Sequence, residues 1–162
     1  MQLKPCRGVA LLESLMAMLL LCAGVLGLLW THQQTLALQR QHVWRDSAMR
    51  VADNMAQRML IHNTEAYARA WGMQNAAVVP DCHANLCSDA AWVASQMQQA
   101  NDELKELPEG DMAITPLQDL SHYWAVTVAW QDADETFRTD NLRGAPSCPN
   151  GKSCWRLVFR TH

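Results

Sequence analysis

Near its start, the sequence contains an apolar stretch with a single charged residue. Val9 to Trp30 is about 22 residues long, and Glu13 is the only ionisable carboxylate or basic residue in it. Because about 20 apolar residues cross the hydrocarbon core of a bilayer, this stretch predicts a transmembrane helix. A charged side chain at that depth costs roughly 2.5–3.5 kcal/mol on insertion scales. We therefore expect Glu13 to have a partner and a function.

The position of Glu13 suggests what that partner is. Glu13 lies four residues after Val9, and residues at this spacing share one face of a helix. If the chain is cut after Gly8, the new α-amine of Val9 can meet the Glu13 carboxylate, on its own chain or on a neighbouring one. Lys4 and Arg7 precede the span, so its N-terminus is expected in the cytoplasm and the rest of the chain outside.

Two other N-terminal signals fit the sequence less well. A cleaved secretory signal has an apolar core of about 7–15 residues followed by a small-residue cleavage site, and no A-x-A pattern follows Trp30. A lipoprotein signal ending at Cys22 would need a small residue where Leu21 stands. A retained membrane span is the better interpretation.

The N-terminal segment resembles the class III leader of type IV prepilins and pseudopilins. The matching residues are basic Lys4 and Arg7, Gly8 at the cut, apolar Val9 and Glu13 at the fifth mature position. The resemblance implies that a prepilin peptidase removes residues 1–8 and methylates the Val9 amine. It also implies that Glu13 guides docking of the subunit into a filament. The family usually has Phe at the first mature position, where this chain has Val9.

Four cysteines lie beyond the span, in what is expected to be an oxidising compartment. They are Cys82, Cys87, Cys148 and Cys154, and they allow three disulfide pairings. The short loops Cys82–Cys87 and Cys148–Cys154 are the simplest arrangement, while a crossed pairing stays open. A zinc site that adds His83 lacks the paired C-x-x-C spacing. We therefore expect disulfides and no metal ion.

The segment after the span predicts a long helix and then a globular head. Residues 31–71 contain no Pro or Gly, so the helix is expected to continue to Trp71 and stop at Gly72. Its expected apolar stripe comprises Leu36, Val43, Val51, Met55, Met59 and Tyr67, and the outer half of the stripe is expected to pack on the head. Residues 72–162 are expected to form the head.

Within the head, the pattern changes from helix to strand. Ser88 is expected to cap a helix from Asp89 to about Leu107, which buries Ala90, Trp92, Val93 and Met97. Strands are expected near Met112–Leu117, at Tyr123–Trp130 and at Cys154–Arg160, with a short edge strand at Phe137–Thr139. Trp92, Trp124, Trp130 and Trp155 are assigned to packing. Helices followed by antiparallel strands predict an α+β fold.

Three segments, one late in the long helix and two in the head, resemble PilV-type minor pilins, also called type IV pilus modification proteins. They are Ala52–Met59, Leu107–Gly110 after the cysteine loop and the helix bearing Trp92, and Tyr123–Asp132. The resemblance implies the type IV pilin fold, in which a long N-terminal helix packs on a small antiparallel sheet. It implies a structural subunit of a type IV pilus or of its priming complex. A minor pseudopilin of a type II secretion system is the alternative.

The same resemblance implies partners and a location. The partners are other minor pilins, the major pilin, the prepilin peptidase and the inner-membrane pilus assembly machinery. The chain is expected to cross the inner membrane once, with a periplasmic head, and to reach the surface pilus after assembly.

No motif in the sequence points to catalysis or to nucleic acid. The six histidines are scattered, and there is no H-E-x-x-H, G-x-S-x-G or phosphate-binding glycine loop. Without residues 1–8, 11 basic and 16 acidic residues give a formal charge of −5, which argues against a nucleic-acid footprint. The acidic residues Asp132, Asp134 and Glu135 lack EF-hand spacing and suggest a solvated turn. We expect no enzyme activity and no cofactor.

Overall fold

The structure is a computed structural model that describes residues 7–62, 64–73, 82, 84, 86–118, 120, 122–132 and 143–161. Its elements are α1 (Arg7–Ile61), a 3-10 turn (Thr64–Tyr67), α2 (Asp89–Leu104), β1 (Asp111–Pro116), β2 (Tyr123–Gln131) and β3 (Lys152–Arg160). The expected α+β class is confirmed, with one long apolar N-terminal helix and a small antiparallel sheet. The chain divides into two compact units, Met1–Gln41 and His42–His162.

The first unit contains the apolar part of α1. Its side chains from Leu11 to Gln33 are exposed. Three hydroxyl groups in this helix donate to backbone carbonyls three or four residues earlier: Ser14 to Leu11, Thr31 to Leu28 and Thr35 to Thr31, at 2.8–2.9 Å. These hydroxyls are therefore satisfied within the helix and need no water or outside partner.

In the second unit, the later part of α1 buries one stripe against the head. The stripe comprises Ala48, Val51, Ala52, Met55 and Met59, which recur at the spacing of an amphipathic helix. Burial of Val51, Met55 and Met59 confirms that part of the expected stripe. Leu36 and Val43, in the inner half of that stripe, are 55% and 61% exposed.

The long helix ends at Ile61, so the expected continuation to Trp71 is wrong. The Thr64 hydroxyl donates to the Met59 carbonyl at 3.1 Å, which satisfies one of the last carbonyl groups of α1. Arg69 then exchanges two backbone hydrogen bonds with Ile114 of β1, at 2.9 and 2.8 Å. The helix thus stops without Gly or Pro, and the backbone that follows it is bonded to the sheet at Arg69.

The second helix begins where the sequence predicted. The Ser88 hydroxyl accepts a hydrogen bond from the Ala91 N–H at 3.3 Å, as an N-cap does. α2 ends at Leu104, somewhat earlier than expected, and turns follow it up to Gly110. Val93 and Met97 are buried as predicted, whereas Ala90 is exposed.

The sheet has the order β1-β2-β3, with both pairs antiparallel. Val126, at the centre of β2, lies opposite Ile114 on one side and Leu157 on the other. All three strongest strand predictions are thus confirmed. The edge strand expected at Phe137–Thr139 lies outside the described residues.

Both faces of β2 are buried. Trp124, Val126, Val128 and Trp130 belong to the core that also contains the buried stripes of α1 and α2. Ala125, Thr127 and Ala129 alternate with them and are buried outside that core. Trp124 and Trp130 are therefore core residues as expected, and the half-buried Trp155 packs against that core. Trp92 is half-buried as well.

Candidate functional site

α1 contains the segment whose surface most needs an explanation. The 23 residues Leu11–Gln33 are long and apolar enough to cross a membrane, by length and composition. The Leu, Met and Val side chains of this segment are about half to three-quarters exposed. Soluble proteins rarely expose a continuous apolar surface of this extent. The hydrocarbon core of a lipid bilayer would match it.

Glu13 lies near the start of this apolar surface. α1 begins at Arg7, so the Gly8–Val9 peptide bond is already in its first turn. Glu13 follows Val9 by about one helical turn and is exposed between Leu12 and Ser14. No described residue forms an ion pair with Glu13. The carboxylate is therefore open to a partner from another chain, which an apolar environment would require.

The four head cysteines form the two short-loop disulfides, Cys82–Cys87 and Cys148–Cys154. The crossed pairing, which the sequence left open, is therefore not the one adopted. Cys22, in the apolar segment, is free and exposed.

The described residues contain no group of three or more His, Cys, Asp or Glu side chains arranged to hold a metal ion. His62 contacts Trp92, with ring centroids 6.1 Å apart. Of the acidic cluster, Asp134 and Glu135 lie outside the described residues. Asp132 is only 7% exposed and accepts a hydrogen bond from Ser153 at 3.5 Å. The expectation of a solvated turn is therefore wrong for Asp132, because its carboxylate packs beside β3.

A polar groove of about 590 Å³ lies in the head beside Arg69 and α2. The Arg69 guanidinium is bonded to Asn101 of α2 and lies 3.6 Å from Asp111 of β1. Burial lowers the pKa of Arg69, and the Asp111 charge opposes that shift. On the rim, Lys152 lies 3.7 Å from Glu109.

The cations of this groove are paired with acids, which indicates a structural role. Asp111 also accepts backbone hydrogen bonds from Gly72 and Met112, each at 2.8 Å. The contacts of Arg69 and Asp111 beside the groove therefore join the segment after α1 to the sheet and to α2. Sequence reasoning missed it because Arg69 was placed inside a helix. The residues that Arg69 contacts come from distant segments of the chain, and the spacing of apolar residues in the sequence does not indicate such contacts.

The chain thus joins an exposed apolar helix with one carboxylate to a small α+β head held by two disulfides. No family model, no curated protein and no solved structure matches it. Function has to be inferred from Glu13, the apolar segment and the head.

Proposed function

We propose that the chain is a minor pilin of the PilV type, a non-enzymatic subunit of a type IV pilus or of its assembly-initiating complex. The observation that carries the proposal is the register of Gly8, Val9 and Glu13 at the start of an exposed apolar helix. Prepilin peptidase cuts after Gly8 and methylates the Val9 amine. The cut converts a peptide nitrogen into a cation one helical turn before Glu13.

The apolar segment stores the subunit before assembly. Leu11–Gln33 holds the cleaved chain in the inner membrane, with the head in the periplasm, where its disulfides persist. The assembly machinery extracts this helix and places it among the helices of other minor pilins and of the major pilin. In the filament, helices of other subunits replace lipid around these exposed apolar side chains.

Glu13 sets the register of that packing. Its carboxylate pairs with the α-amine of an adjacent subunit, which matches the lack of an ion pair among the residues described for a single chain. A buried carboxylate without a partner is strongly destabilising, so wrong registers are disfavoured. Glu13 thus selects the correct register between neighbouring helices more than it strengthens their association.

Substituting Glu13 tests this role. Glu13→Ala removes the carboxylate, and we expect normal membrane levels and head folding but loss of the subunit from sheared filaments. Ser14→Ala is the matched control, because the Ser14 hydroxyl is already bonded to the Leu11 carbonyl within its own helix. Quantitative immunoblots of membrane and filament fractions give the readout. Normal incorporation of Glu13→Ala would exclude the pairing.

Deleting the chain separates a pilus from a secretion system. The proposed function predicts fewer surface pili with enzyme export unchanged. Loss of enzyme export with normal pili would instead assign the chain to a type II secretion pseudopilus.

A further inference from the structure

Residues 143–151, which we name the strap, are bonded to Arg156 and Cys154 of β3. These two residues lie opposite Thr127 and Ala129 and therefore belong to the sheet face that is turned away from the helix-side core. On that face Ala113, Ala125 and Thr127 are fully buried although they lie outside the main core. Two of these side chains are methyl groups, which let another backbone approach the sheet closely.

Two contacts hold the first half of the strap. At Gly144, where φ is +84°, an added Cβ would lie 2.6 Å from the backbone nitrogen of Gln118, between β1 and β2. The Pro146 carbonyl accepts a hydrogen bond from Nη2 of Arg156 at 2.6 Å. Nε of Arg156 donates to the Thr127 hydroxyl at 3.1 Å. Arg156 therefore links the strap to the buried centre of β2.

Two more contacts hold its second half. The Ser147 carbonyl accepts a hydrogen bond from Nε1 of Trp71 at 3.1 Å. Cys148 is bonded covalently to Cys154 of β3. Cys154 is fully buried and Cys148 is half-buried, so the Cys148 side of the bond is the more accessible one.

We propose that the Cys148–Cys154 disulfide is a redox latch. The strap is closed over the sheet when the bond is formed, and it opens without unfolding of the head when the bond is reduced. Between the strap and the other described residues, the remaining tethers are single hydrogen bonds from half-buried side chains, and water can replace such bonds at small net cost. The core on the helix side contains none of the strap residues. The proposal does not depend on the role of the chain in a filament.

The reductant is a dithiol. Its thiolate attacks Sγ of Cys148, forms a mixed disulfide and releases Cys154 as a thiolate, which takes up a proton. The second thiol of the reductant then attacks the mixed disulfide. The products are two cysteine thiols in the protein and one cyclic disulfide, so two electrons pass from the dithiol to the protein.

Opening uncovers the guanidinium of Arg156. Its burial in the closed state lowers its pKa, and an open strap removes the Pro146 carbonyl that covers it. The rate at which an arginine reagent labels Arg156 therefore reports whether the strap is open. Two other arginines serve as references: Arg50, whose side chain is 67% exposed, and Arg69, whose side chain is 5% exposed.

The experiment labels arginines with a dicarbonyl reagent and reads each site by peptide mass spectrometry. The full chain in detergent is compared in its oxidised form and after dithiol reduction with blocking of the thiols. We expect labelling of Arg156 to rise several-fold on reduction, while Arg50 stays fast and Arg69 stays slow. No rise at Arg156 would overturn the latch. A joint rise at Arg156 and Arg69 would also overturn it, since the strap would then open only with the head.

A pair of double variants assigns the effect to one bond. In the double variant Cys148→Ser/Cys154→Ser, the dicarbonyl reagent should label Arg156 without any reductant. Cys82→Ser with Cys87→Ser removes a loop of similar length, in which Leu86 is fully exposed. This control should keep Arg156 protected until dithiol is added. Release of Arg156 by the control alone would contradict the assignment, and slow labelling of Arg69 verifies folding in each variant.

Discussion

Arg69 and Asp111 form an ion pair between the segment that follows α1 and the first residue of β1, with 3.6 Å between Nη2 and Oδ1. The Arg69 side chain is only 5% exposed. Asp111 also accepts the backbone N–H groups of Gly72 and Met112. The Asp111 carboxylate thus holds the segment Arg69–Gly72, which follows α1, against the start of β1.

Removing this carboxylate should destabilise the head. Asp111→Ala leaves a buried guanidinium without its charge partner and two backbone N–H groups without an acceptor. We expect the free energy of unfolding to fall by about 3 kcal/mol, which is typical when one partner of a buried pair is removed. Urea unfolding of the chain in detergent, followed by near-UV circular dichroism, measures the change.

Asp102→Ala is the matched control. Asp102 lies 2.6 Å from Lys105, but both side chains are more than half exposed. Exposed ion pairs contribute little to stability because water screens them. The urea midpoint of this variant should stay at the wild-type value, and an equal loss in both variants would contradict the role assigned to Asp111.

Tyr67 should make the head sensitive to alkali. Its side chain is fully buried, its hydroxyl has no hydrogen-bond partner among the described residues, and burial raises its pKa against an opposing effect of Arg58. Above about pH 10 an unfolded tyrosine loses its proton while Tyr67 keeps it, so the folded state binds more protons and stability falls as pH rises.

Tyr67→Phe removes this titration. The variant should match the wild type near pH 8 and lose less stability than the wild type between pH 8 and about pH 10.5. Tyr123→Phe is the control, because Tyr123 is only half-buried, and it should keep the wild-type alkaline loss. Identical pH profiles for Tyr67→Phe and the wild type would show that Tyr67 does not titrate in this way.

Gly110 should not tolerate a side chain. A Cβ at this position would overlap the Leu104 carbonyl oxygen and lie 3.0 Å from Cβ of Leu107. Gly110→Ala must therefore displace the end of α2, and we expect a loss of about 1–3 kcal/mol in the free energy of unfolding. Gly24→Ala, where a Cβ meets nothing within 4 Å, should leave head unfolding unchanged. Wild-type stability of Gly110→Ala would refute the close packing.

Local sequence signals were sufficient for the strands and for the start of α2. Alternation of apolar residues located β2, and Ser88 before a helical pattern located the N-cap. The Leu107–Gly110 motif that supported the pilin resemblance also has a packing reason, since Leu107 is buried and Gly110 has no room for Cβ. These features depend on neighbouring residues, which a sequence displays directly.

Features that depend on distant segments could not be predicted in this way. α1 ends at Ile61, and the backbone of Arg69 then bonds to Ile114, a contact between distant segments that a local pattern does not display. The burial of Ala125, Thr127 and Ala129 on the second face of β2 likewise depends on segments distant in the sequence. The register of Gly8, Val9 and Glu13 is the opposite case, because it is a local pattern that a sequence can display in full.

The central claim, that the chain is a processed pilin subunit, is tested most directly at its N-terminus. We would measure the intact mass and the N-terminal sequence of the membrane-extracted protein, from hosts with and without the prepilin peptidase. The account predicts a mature chain that starts at Val9 with one added methyl group, only where the peptidase is present. A chain that starts at Met1 in both hosts, or one cut beyond Trp30, would contradict it.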